Sequence, residues 1–572
     1  MKQYNIATFF AISCFCLVCF LPFLGSVHLF DWDEINFAEN AREMLVTNNW
    51  GSITINFEPF WEKPPLFIWM QAISMKIFGI NEFAARFPTV LSSLLTLNLI
   101  YFIGVKHFRP SLAAVWVLVY LGSLIPHFYI RTGLIDPTFN LFIFLAIYQL
   151  ALAYSHFQKV ENNNANVIWG AVFVGLAILT KGPVALLIFL LVFFILCFFT
   201  RKIFIKPFAF VLAVFIILGI VSAWFMPETL KNGTWFIQRF LQYQFELLTQ
   251  NVAGHQQPFY YHFIVLFFGC FPAAFFAIKA FFLRIENHRE KPFFITFQIL
   301  FWVVLILFSI VKTKIIHYSS LCWLPLTFLA AYYIDKLLAE NIKIKNWQKL
   351  FLLLSGFPII LFLSLVPYIN NLGKHTFLLS KIKDVFALTV LQVNSNFSML
   401  SSIVASLLAI ALMGVLFLAF WNKKYIIHLF ITNFFVCYFS ALLFVPVIDA
   451  KLQKDLFQFY KSQVGKDVYI ETIGFKSYAH YFYAKMQPLK LTDGLHIFQN
   501  KALFGKKLQD LNAKEYDLLQ SKKQRFLLDS AVDKPVYLIY KIGNDNLPMA
   551  KNGFFSLGKK GGYLVYKRNK SI

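Results

Sequence analysis

Residues 31–65 read DWDEINFAENAREMLVTNNWGSITINFEPFWEKPP and lie between two strongly apolar segments. The stretch is dense in carboxylates and ends in a Glu-Lys-Pro-Pro sequence. Its spacing predicts an amphipathic helix over 36–47 that lies along the membrane surface. Apolar and charged side chains fall on opposite faces of that helix, Phe37, Ala41, Met44 and Leu45 against Glu39, Arg42 and Glu43.

The composition on either side of this loop is that of a polytopic α-helical membrane protein. The 572 residues are 59% hydrophobic and 14% charged, and the mean hydropathy is +0.63. The first apolar run lacks a small-x-small cleavage site, which favours an uncleaved helix over a signal peptide. Runs of about 20 apolar residues predict thirteen spans, near 6–25, 82–105, 111–128, 138–156, 167–179, 184–200, 207–225, 260–282, 293–311, 318–335, 349–369, 398–421 and 425–447.

The distribution of basic residues predicts the orientation of these spans. Lys2 and the loops at alternate positions, such as 201–206, carry the Lys and Arg residues, so the positive-inside rule places them in the cytoplasm. An odd number of spans then places the 26–81 loop and the C-terminal tail on the exoplasmic side. Five further loops are predicted to lie on the same side, at 129–137, 180–183, 226–259, 312–317 and 370–397.

The chain is predicted to divide into a transmembrane domain, residues 1–449, and an exoplasmic α/β domain, residues 450–572. In this second domain, predicted strands alternate with predicted helices. The strands are 467–475, 534–542 and 561–569, and the helices are 475–485 and 508–523. The net charge of +24 and the basic tail favour either anionic lipid head groups or simple solubility. Nucleic acid is excluded as a partner on this side. All seven cysteines lie in apolar runs, which argues against disulfides and CxxC metal sites.

Charged residues in separate exoplasmic loops are expected to share one cavity at the membrane boundary. One turn carries Arg131 and Asp136, and another carries Lys181. The third carries Lys312, Lys314 and His317, and the 226–259 loop adds His255.

Several of these segments together resemble a known family. They are DEINFAENAREM at 33–44, WEKPPLFIWMQAISMKIFG at 61–79, the Asp-Pro of RTGLIDPTF, LTKGP at 179–183 and HYSSLCWLPL at 317–326. The pattern is similar to the lipid-phosphate-sugar glycosyltransferases related to dolichyl-phosphate-mannose protein mannosyltransferases. Within that superfamily it resembles most the bacterial lipid A aminoarabinose transferases.

The resemblance implies a GT-C fold in the bacterial inner membrane and transfer of a monosaccharide from a polyprenyl phosphate to an exoplasmic acceptor. In this reading 26–81 is the first catalytic loop. Asp33 and Asp136 correspond to the family's catalytic aspartates, and Glu62 and Lys63 to its Glu-Lys-Pro pair.

One departure from the family concerns a divalent metal ion. In the aminoarabinose transferases a histidine after the seventh span joins the counterpart of Glu62 at a metal, and here Tyr243 or Gln244 takes that position. A site made of Glu62 and His255 remains open as the alternative.

The expected chemistry assigns roles by residue type. Charge develops on phosphate oxygens as the glycosidic bond breaks, so cations at the donor phosphate accelerate the step. The candidates are Lys63, Lys181, Lys312 and Lys314. Asp33 or Asp136 takes an acceptor proton or stabilises the oxocarbenium-like sugar, and no base is needed if the acceptor is a phosphate. Glu34, Glu62, Arg131, His255 and His317 are further candidates.

Each assignment has a structural alternative. Asp33 is placed to cap the 36–47 helix, Asp136 to start a span before a proline, and the lysines to anchor span ends. Asp31 and Asp33 form a DxD sequence, but no nucleotide-binding unit accompanies it, and nucleotide sugars are cytoplasmic.

Two other functions compete with transfer to lipid A or another glycolipid. One is transfer to protein Ser or Thr hydroxyls. The other is transport or lipid flipping, which repeated halves and broken helices would indicate, and neither feature is visible in the sequence.

Overall fold

The computed structural model describes residues 6–571 apart from 61, 250–256, 341–343, 373–379, 381, 394–397, 504–507, 509–510, 512 and 544–552. Helices dominate. In chain order the first half forms α1 (Ile6–Phe20), α2 (Asp33–Thr47), the hairpin strands β1 (Thr54–Ile55) and β2 (Glu58–Pro59), α3 (Leu66–Phe78), α4 (Glu82–His107), α5 (Pro110–Leu121), α6 (Leu124–Tyr129), α7 (Asp136–Gln158), α8 (Asn164–Lys181), α9 (Val184–Thr200), α10 (Pro207–Asn232) and α11 (Trp235–Thr249).

The second half continues with α12 (Tyr261–Gly269), α13 (Ala273–Ala280), α14 (Lys291–Ile310), a 3-10 helix (Ile316–Cys322), α15 (Trp323–Ala339), α16 (Asn346–Leu372), α17 (Val385–Gln392), α18 (Met399–Trp421) and α19 (Tyr425–Leu452). The tail comprises α20 (Lys454–Lys461), β3 (Tyr469–Ile473), α21 (Ala479–Tyr483), α22 (Gly494–Ala502), α23 (Ala513–Asp529), β4 (Val536–Lys541), β5 (Phe555–Lys560) and β6 (Tyr563–Arg568).

All thirteen predicted spans fall on helices, but not all of these helices are of membrane-spanning length. Among the described residues nine helices are long and apolar enough to cross a membrane, or ten if α12 and α13, bent by 113°, form one span. The apolar helices α1, α5 and α9 are shorter. The chain is thus a multi-pass membrane protein whose spans are less regular than the hydropathy predicts.

The predicted span 111–128 divides into α5 and α6 at Gly122. A Cβ at Gly122 would collide with the backbone carbonyl of Phe430, and Asn433 donates from its side-chain amide to the Gly122 carbonyl at 2.7 Å. The close approach of α19 therefore requires a glycine there. Because this contact joins residues about 300 positions apart, the hydropathy of the span does not reveal it.

The expectation for α2 needs a correction. The helix begins at Asp33 rather than 36, and its charged face is buried, with Glu39, Arg42 and Glu43 all at most 1% exposed. Arg42 pairs with Glu39 at 2.6 Å. Glu43 accepts hydrogen bonds from the Thr54 hydroxyl and the Phe57 amide of the β1–β2 hairpin. The spacing of apolar residues predicts which faces a helix has, but it does not predict what covers each face. In α2, other parts of the protein cover both the apolar and the charged face.

The tail forms a four-stranded sheet in the order β3-β4-β6-β5, in which β3 runs parallel to β4 and the other pairs are antiparallel. The three predicted strands are present, and β5 is an additional one. Gly558, at φ +90°, interrupts the alternation of β5 and hides its pattern. The predicted helices correspond to the shorter α21 and the later α23. The boundary at 449/450 remains a prediction, since α19 continues to Leu452.

The tail packs directly on the first loop. One apolar cluster contains Ile35, Ala38 and Ile68 together with Phe457 and Tyr483. Burial of these side chains is worth roughly 1.5–3 kcal/mol each for the larger ones. The first loop and the tail therefore share one hydrophobic core.

Candidate active site

The start of α2 is fixed by a buried ion pair. Glu34 accepts from the Arg86 guanidinium of α4 at 2.9 and 3.1 Å, from the Phe30 amide at 2.8 Å and from the Gly133 amide at 2.5 Å. Burial alone would raise the pKa of Glu34, but Arg86 and the two amides outweigh it and hold that pKa below its usual value. All acceptor positions of Glu34 face protein donors, so this candidate orients the loop.

Asp33, one residue earlier, has a different setting. Its carboxylate lies 3.4 Å from His317 Nε2 of the 3-10 helix and is 36% exposed. The N-cap position of α2 belongs to Trp32, which makes no side-chain capping bond. The alternative that Asp33 serves as the cap is therefore wrong, and its carboxylate is open to a ligand.

Asp136 begins α7 and is 1% exposed. It accepts from Lys181 Nζ at 2.5 Å and from the Ser320 hydroxyl at 3.3 Å. Lys181 also lies over the rings of Phe139 and Tyr318 at 5.3 and 5.5 Å. The pair is buried where α7, the end of α8 and the 3-10 helix meet, which holds the ammonium group in one position.

His317 is the centre of the cluster. The charges of Asp33, Asp136, Lys63 and Lys181 all act on its imidazole. Four sequence segments therefore converge at one point, as predicted for the 33–44, Glu-Lys-Pro, Asp-Pro and Lys-Gly-Pro motifs. The anionic group of a ligand bound there would contact the lysines, and the adjoining part of the ligand would contact a carboxylate.

The Glu-Lys-Pro pair lies beside α11. Lys63 Nζ is 5.9 Å from the centre of the Tyr243 ring, and within the described chain it makes no ion pair. The Tyr243 hydroxyl donates to Glu62 at 3.1 Å, and Gln244 donates to the Glu62 carbonyl at 3.4 Å. Lys476 of the tail approaches the other Glu62 oxygen at 3.8 Å.

These neighbours do not favour a metal at Glu62. Burial, with the adjacent Glu62 charge, raises the pKa of Tyr243 well above its usual value, so the phenol stays a neutral donor. The Lys476 ammonium lies 3.8 Å from the second oxygen. Among the described residues, no three His, Cys, Asp or Glu side chains are grouped closely enough for a metal ion. His255 lies outside the described residues, so the Glu62–His255 alternative stays a prediction.

Three other candidates lie apart from the cluster. Lys312 is exposed, whereas Lys314 is buried and donates to the Val311 carbonyl at 2.6 Å, capping the end of α14. The two lysines therefore have different surroundings, and their assignment to the donor phosphate stays a prediction. Arg131 donates to the Cys19 carbonyl at 2.6 Å and lies over the Tyr438 ring at 4.7 Å.

Arg131 and Asp33 nevertheless line the same cavity. It has a volume of about 620 Å³ and lies between α2, α6 and α19. Phe23, Phe30, Phe128, Leu442 and Val445 form much of its wall. A cavity with an apolar wall, a guanidinium and an open carboxylate suits an amphipathic molecule.

Sequence reasoning missed several residues of the site. Ser320 was quoted only within the HYSS segment, and Lys476 was treated as part of a basic tail. Tyr129 was not considered, yet burial and the charges of Asp136 and Asp33 raise its pKa. Tyr129 is the last residue of α6, just before the Arg131 turn, and that position was the available signal.

This architecture places the molecule in the class of multi-pass proteins with a GT-C fold and a small C-terminal sheet. The crystal structure of ArnT from Cupriavidus metallidurans bound to undecaprenyl phosphate superposes with a TM-score of 0.73 at 16% identity, covering 99% of this chain and 98% of that one. Its apo form gives a TM-score of 0.71. The predicted fold is confirmed.

The predicted resemblance is also confirmed at the level of sequence. A family model described as dolichyl-phosphate-mannose-protein mannosyltransferase matches residues 62–226. The undecaprenyl phosphate-alpha-4-amino-4-deoxy-L-arabinose arabinosyl transferase of Wigglesworthia glossinidia brevipalpis is 28% identical over 342 residues, 58% of this chain and 59% of that protein. The protein of the same name from Edwardsiella ictaluri is 28% identical over 371 residues, 62% and 64% of the two chains. The chain thus spans about three fifths of the length of these curated relatives.

Proposed function

We propose that this chain is an integral-membrane glycosyltransferase that moves a monosaccharide from a polyprenyl phosphate, undecaprenyl phosphate in bacteria, to lipid A or another envelope glycolipid. The observation that carries the proposal is the open Asp33 carboxylate 3.4 Å from His317. The Asp136–Lys181 pair contacts Tyr318 and Ser320 of the same 3-10 helix. The names of the sequence relatives support a lipid-phosphate-linked sugar as the donor.

In the transfer step, the bond between the anomeric carbon and the donor phosphate oxygen breaks, and a bond from that carbon to an acceptor oxygen forms. The leaving lipid phosphate gains negative charge, which Lys63 and Lys181 stabilise. If the acceptor oxygen is a hydroxyl, Asp33 takes its proton and later releases it to water. If it is a phosphate oxygen, no proton moves, and Asp33 stabilises positive charge at the anomeric carbon.

Asp136 has a supporting role in this scheme. Its buried carboxylate holds the Lys181 ammonium in place, so it acts as a positioning residue. Among the described residues, the side chains that contact Glu62 do not call for a metal ion in this transfer step.

We further propose that the site faces the exoplasm of the inner membrane, with the N-terminus in the cytoplasm and the tail in the periplasm. The basic 201–206 loop and the site residues at the opposite ends of the long helices support this orientation. A reporter enzyme that works only in the cytoplasm should be active when it is fused in the 201–206 loop. A reporter that works only in the periplasm should be active when it is fused after residue 447.

The test of the function is transfer by the purified full-length chain. It receives undecaprenyl phosphate linked to 4-amino-4-deoxy-L-arabinose, with lipid A or a Ser/Thr-rich peptide as acceptor. Mass spectrometry should show lipid A heavier by one sugar residue, only with protein present. Modification of the peptide alone would favour the protein-acceptor alternative, and modification of neither would reject the proposal for this donor.

A further inference from the structure

A second cavity lies where the first loop meets the tail. It has a volume of about 470 Å³, within the roughly 300–1,000 Å³ range of small-molecule sites. The β1–β2 hairpin, the edge strand β3, the 474–478 loop and α23 enclose it. None of the residues assigned above to the donor phosphate lines it.

Buried polar contacts hold the walls of this cavity in place. Glu58 of the hairpin is 9% exposed and accepts from Lys523 at 2.6 Å, Tyr516 at 2.8 Å, Gln499 at 2.9 Å and Gln520 at 3.0 Å. All four donors belong to the tail. The hairpin and α22–α23 are therefore fixed relative to each other, which makes the cavity a formed site rather than a loose gap.

The lining combines aromatic rings with uncommitted polar groups. Tyr478, Tyr481 and Phe475 contribute rings, and Gln524 contributes an amide that donates to the Thr472 carbonyl at 3.2 Å. Within the described chain the Tyr481 hydroxyl and the Asn56 side-chain amide make no hydrogen bond to protein. A pyranose presents an apolar C–H face and a ring of hydroxyls, and these are the complements of such a lining.

Lys476 adjoins both the cavity and the catalytic cluster. This residue lines the cavity, approaches Glu62 at 3.8 Å and lies 5.7 Å from the centre of the Trp32 ring, next to Asp33. The neighbouring Ser477 and Tyr478 face Asp31. A chain of sugars that enters the cluster at Asp33 can therefore extend past Lys476 into the cavity.

We propose that this junction cavity binds a saccharide unit of the acceptor that adjoins the position receiving the new sugar. The inference rests on the proposed function and adds a binding subsite for the acceptor to that same site. The donor is the less suitable occupant, because its one sugar must reach Asp33 while its phosphate contacts Lys63 and Lys181. A lipid chain is also a less suitable occupant, because Glu58, Lys476 and Gln524 line the cavity beside its aromatic rings.

The test uses purified full-length protein carrying Asn56→Gly and Tyr481→Phe together. Asn56 has φ +56°, which glycine adopts without strain, and the tyrosine change removes only a hydroxyl. The acceptors are lipid A and the same lipid A carrying additional core sugars. Tyr566→Phe, in β6 two strands from the cavity, is the matched control.

Wild type is expected to use the sugar-extended acceptor at a lower KM than plain lipid A. The double variant should raise the KM for the extended acceptor about tenfold, the loss expected for two hydrogen bonds, with the donor KM and kcat unchanged. An unchanged acceptor KM, or a changed donor KM alone, would overturn the inference while leaving the proposed function intact. Absence of transfer by wild type would reject the proposed function and this inference with it. Equal unfolding temperatures for all variants are the control for folding.

Discussion

Glu58 and Asp33 are carboxylates of the same loop in opposite settings. Glu58 accepts four hydrogen bonds from the tail, including one from a lysine, and its side chain is 11% exposed. Asp33 has one imidazole 3.4 Å away and is 36% exposed. Removing a fully satisfied buried carboxylate destabilises the fold, whereas an open carboxylate among cations is available to a substrate.

The same contrast separates Asp33 from its neighbour Glu34. Both were candidates from the motif, and both lie at the start of one helix. Glu34 has no free acceptor position, because Arg86, Phe30 and Gly133 fill them. Adjacent positions in a motif can thus serve folding and chemistry separately, and variants that distinguish stability from turnover test this division.

The largest expected effect is that of Glu34→Gln on stability. It leaves the buried Arg86 guanidinium without its counter-charge, which costs about 3–5 kcal/mol. Because the folded pKa of Glu34 is lowered, its contribution is present above the ordinary carboxyl pKa and is lost as the pH falls through the lowered value. Thermal unfolding of the detergent-solubilised protein measures it, with the exposed Glu286→Gln as control. A variant as stable as the control would remove Glu34 from this structural role.

Glu58→Gln should have the next largest effect. It keeps the shape of the side chain but loses the charge-assisted bond to Lys523, worth about 1.5–3 kcal/mol. The tail should then be cut more readily by protease near residue 461. Lys523→Met and the double variant complete a cycle, and non-additive losses are expected because the two residues are in contact. Fully additive losses would show that the pair does not couple the loop to the tail.

Lys63→Gln should lower the transfer rate about tenfold, which corresponds to a loss of about 1.4 kcal/mol of transition-state stabilisation. The folding stability of the protein should not change. Lys63→Arg should recover only part of this, because the planar guanidinium does not replace a compact ammonium beside Tyr243. Rates against donor concentration for both variants test it, with Lys202→Gln in a distant loop as control. Wild-type rates in Lys63→Gln would leave Lys181 as the phosphate partner.

Tyr243→Phe should have the smallest effect, less than about threefold in rate. It removes a hydroxyl that donates to Glu62 and leaves Lys476 beside that carboxylate, and the proposed transfer step assigns Glu62 no role. A rate loss of about a hundredfold would indicate that this tyrosine contacts the reacting groups.

Much of the fold was predictable because hydropathy and helix length report directly on a bilayer. The thirteen apolar runs, the tail strands at 467–475 and 534–542 and the convergence of Asp33, Lys63, Asp136 and Lys181 all followed from the sequence. The convergence was expected because the charged loops were placed on one side of the membrane, and the family resemblance added roles for Asp33 and Lys63.

What could not be predicted depends on contacts between distant residues. The break at Gly122 needs Phe430, the burial of Glu43 needs the hairpin, and the tail contact of Glu62 needs Lys476. Strand β5 was missed for a local reason, since Gly558 disrupts its alternation. Nor does a sequence show whether a carboxylate is satisfied, which is the property that separates Glu34 from Asp33.

The central claim, that Asp33 acts in the chemistry and not in the fold, is tested most directly by one comparison. The transfer rate and the unfolding temperature of purified Asp33→Asn are measured beside those of wild type. Asparagine keeps the size of aspartate but removes the charge. We expect the unfolding temperature to stay unchanged and the rate to fall at least about a hundredfold. A folded Asp33→Asn protein that transfers sugar at nearly the wild-type rate would contradict the account.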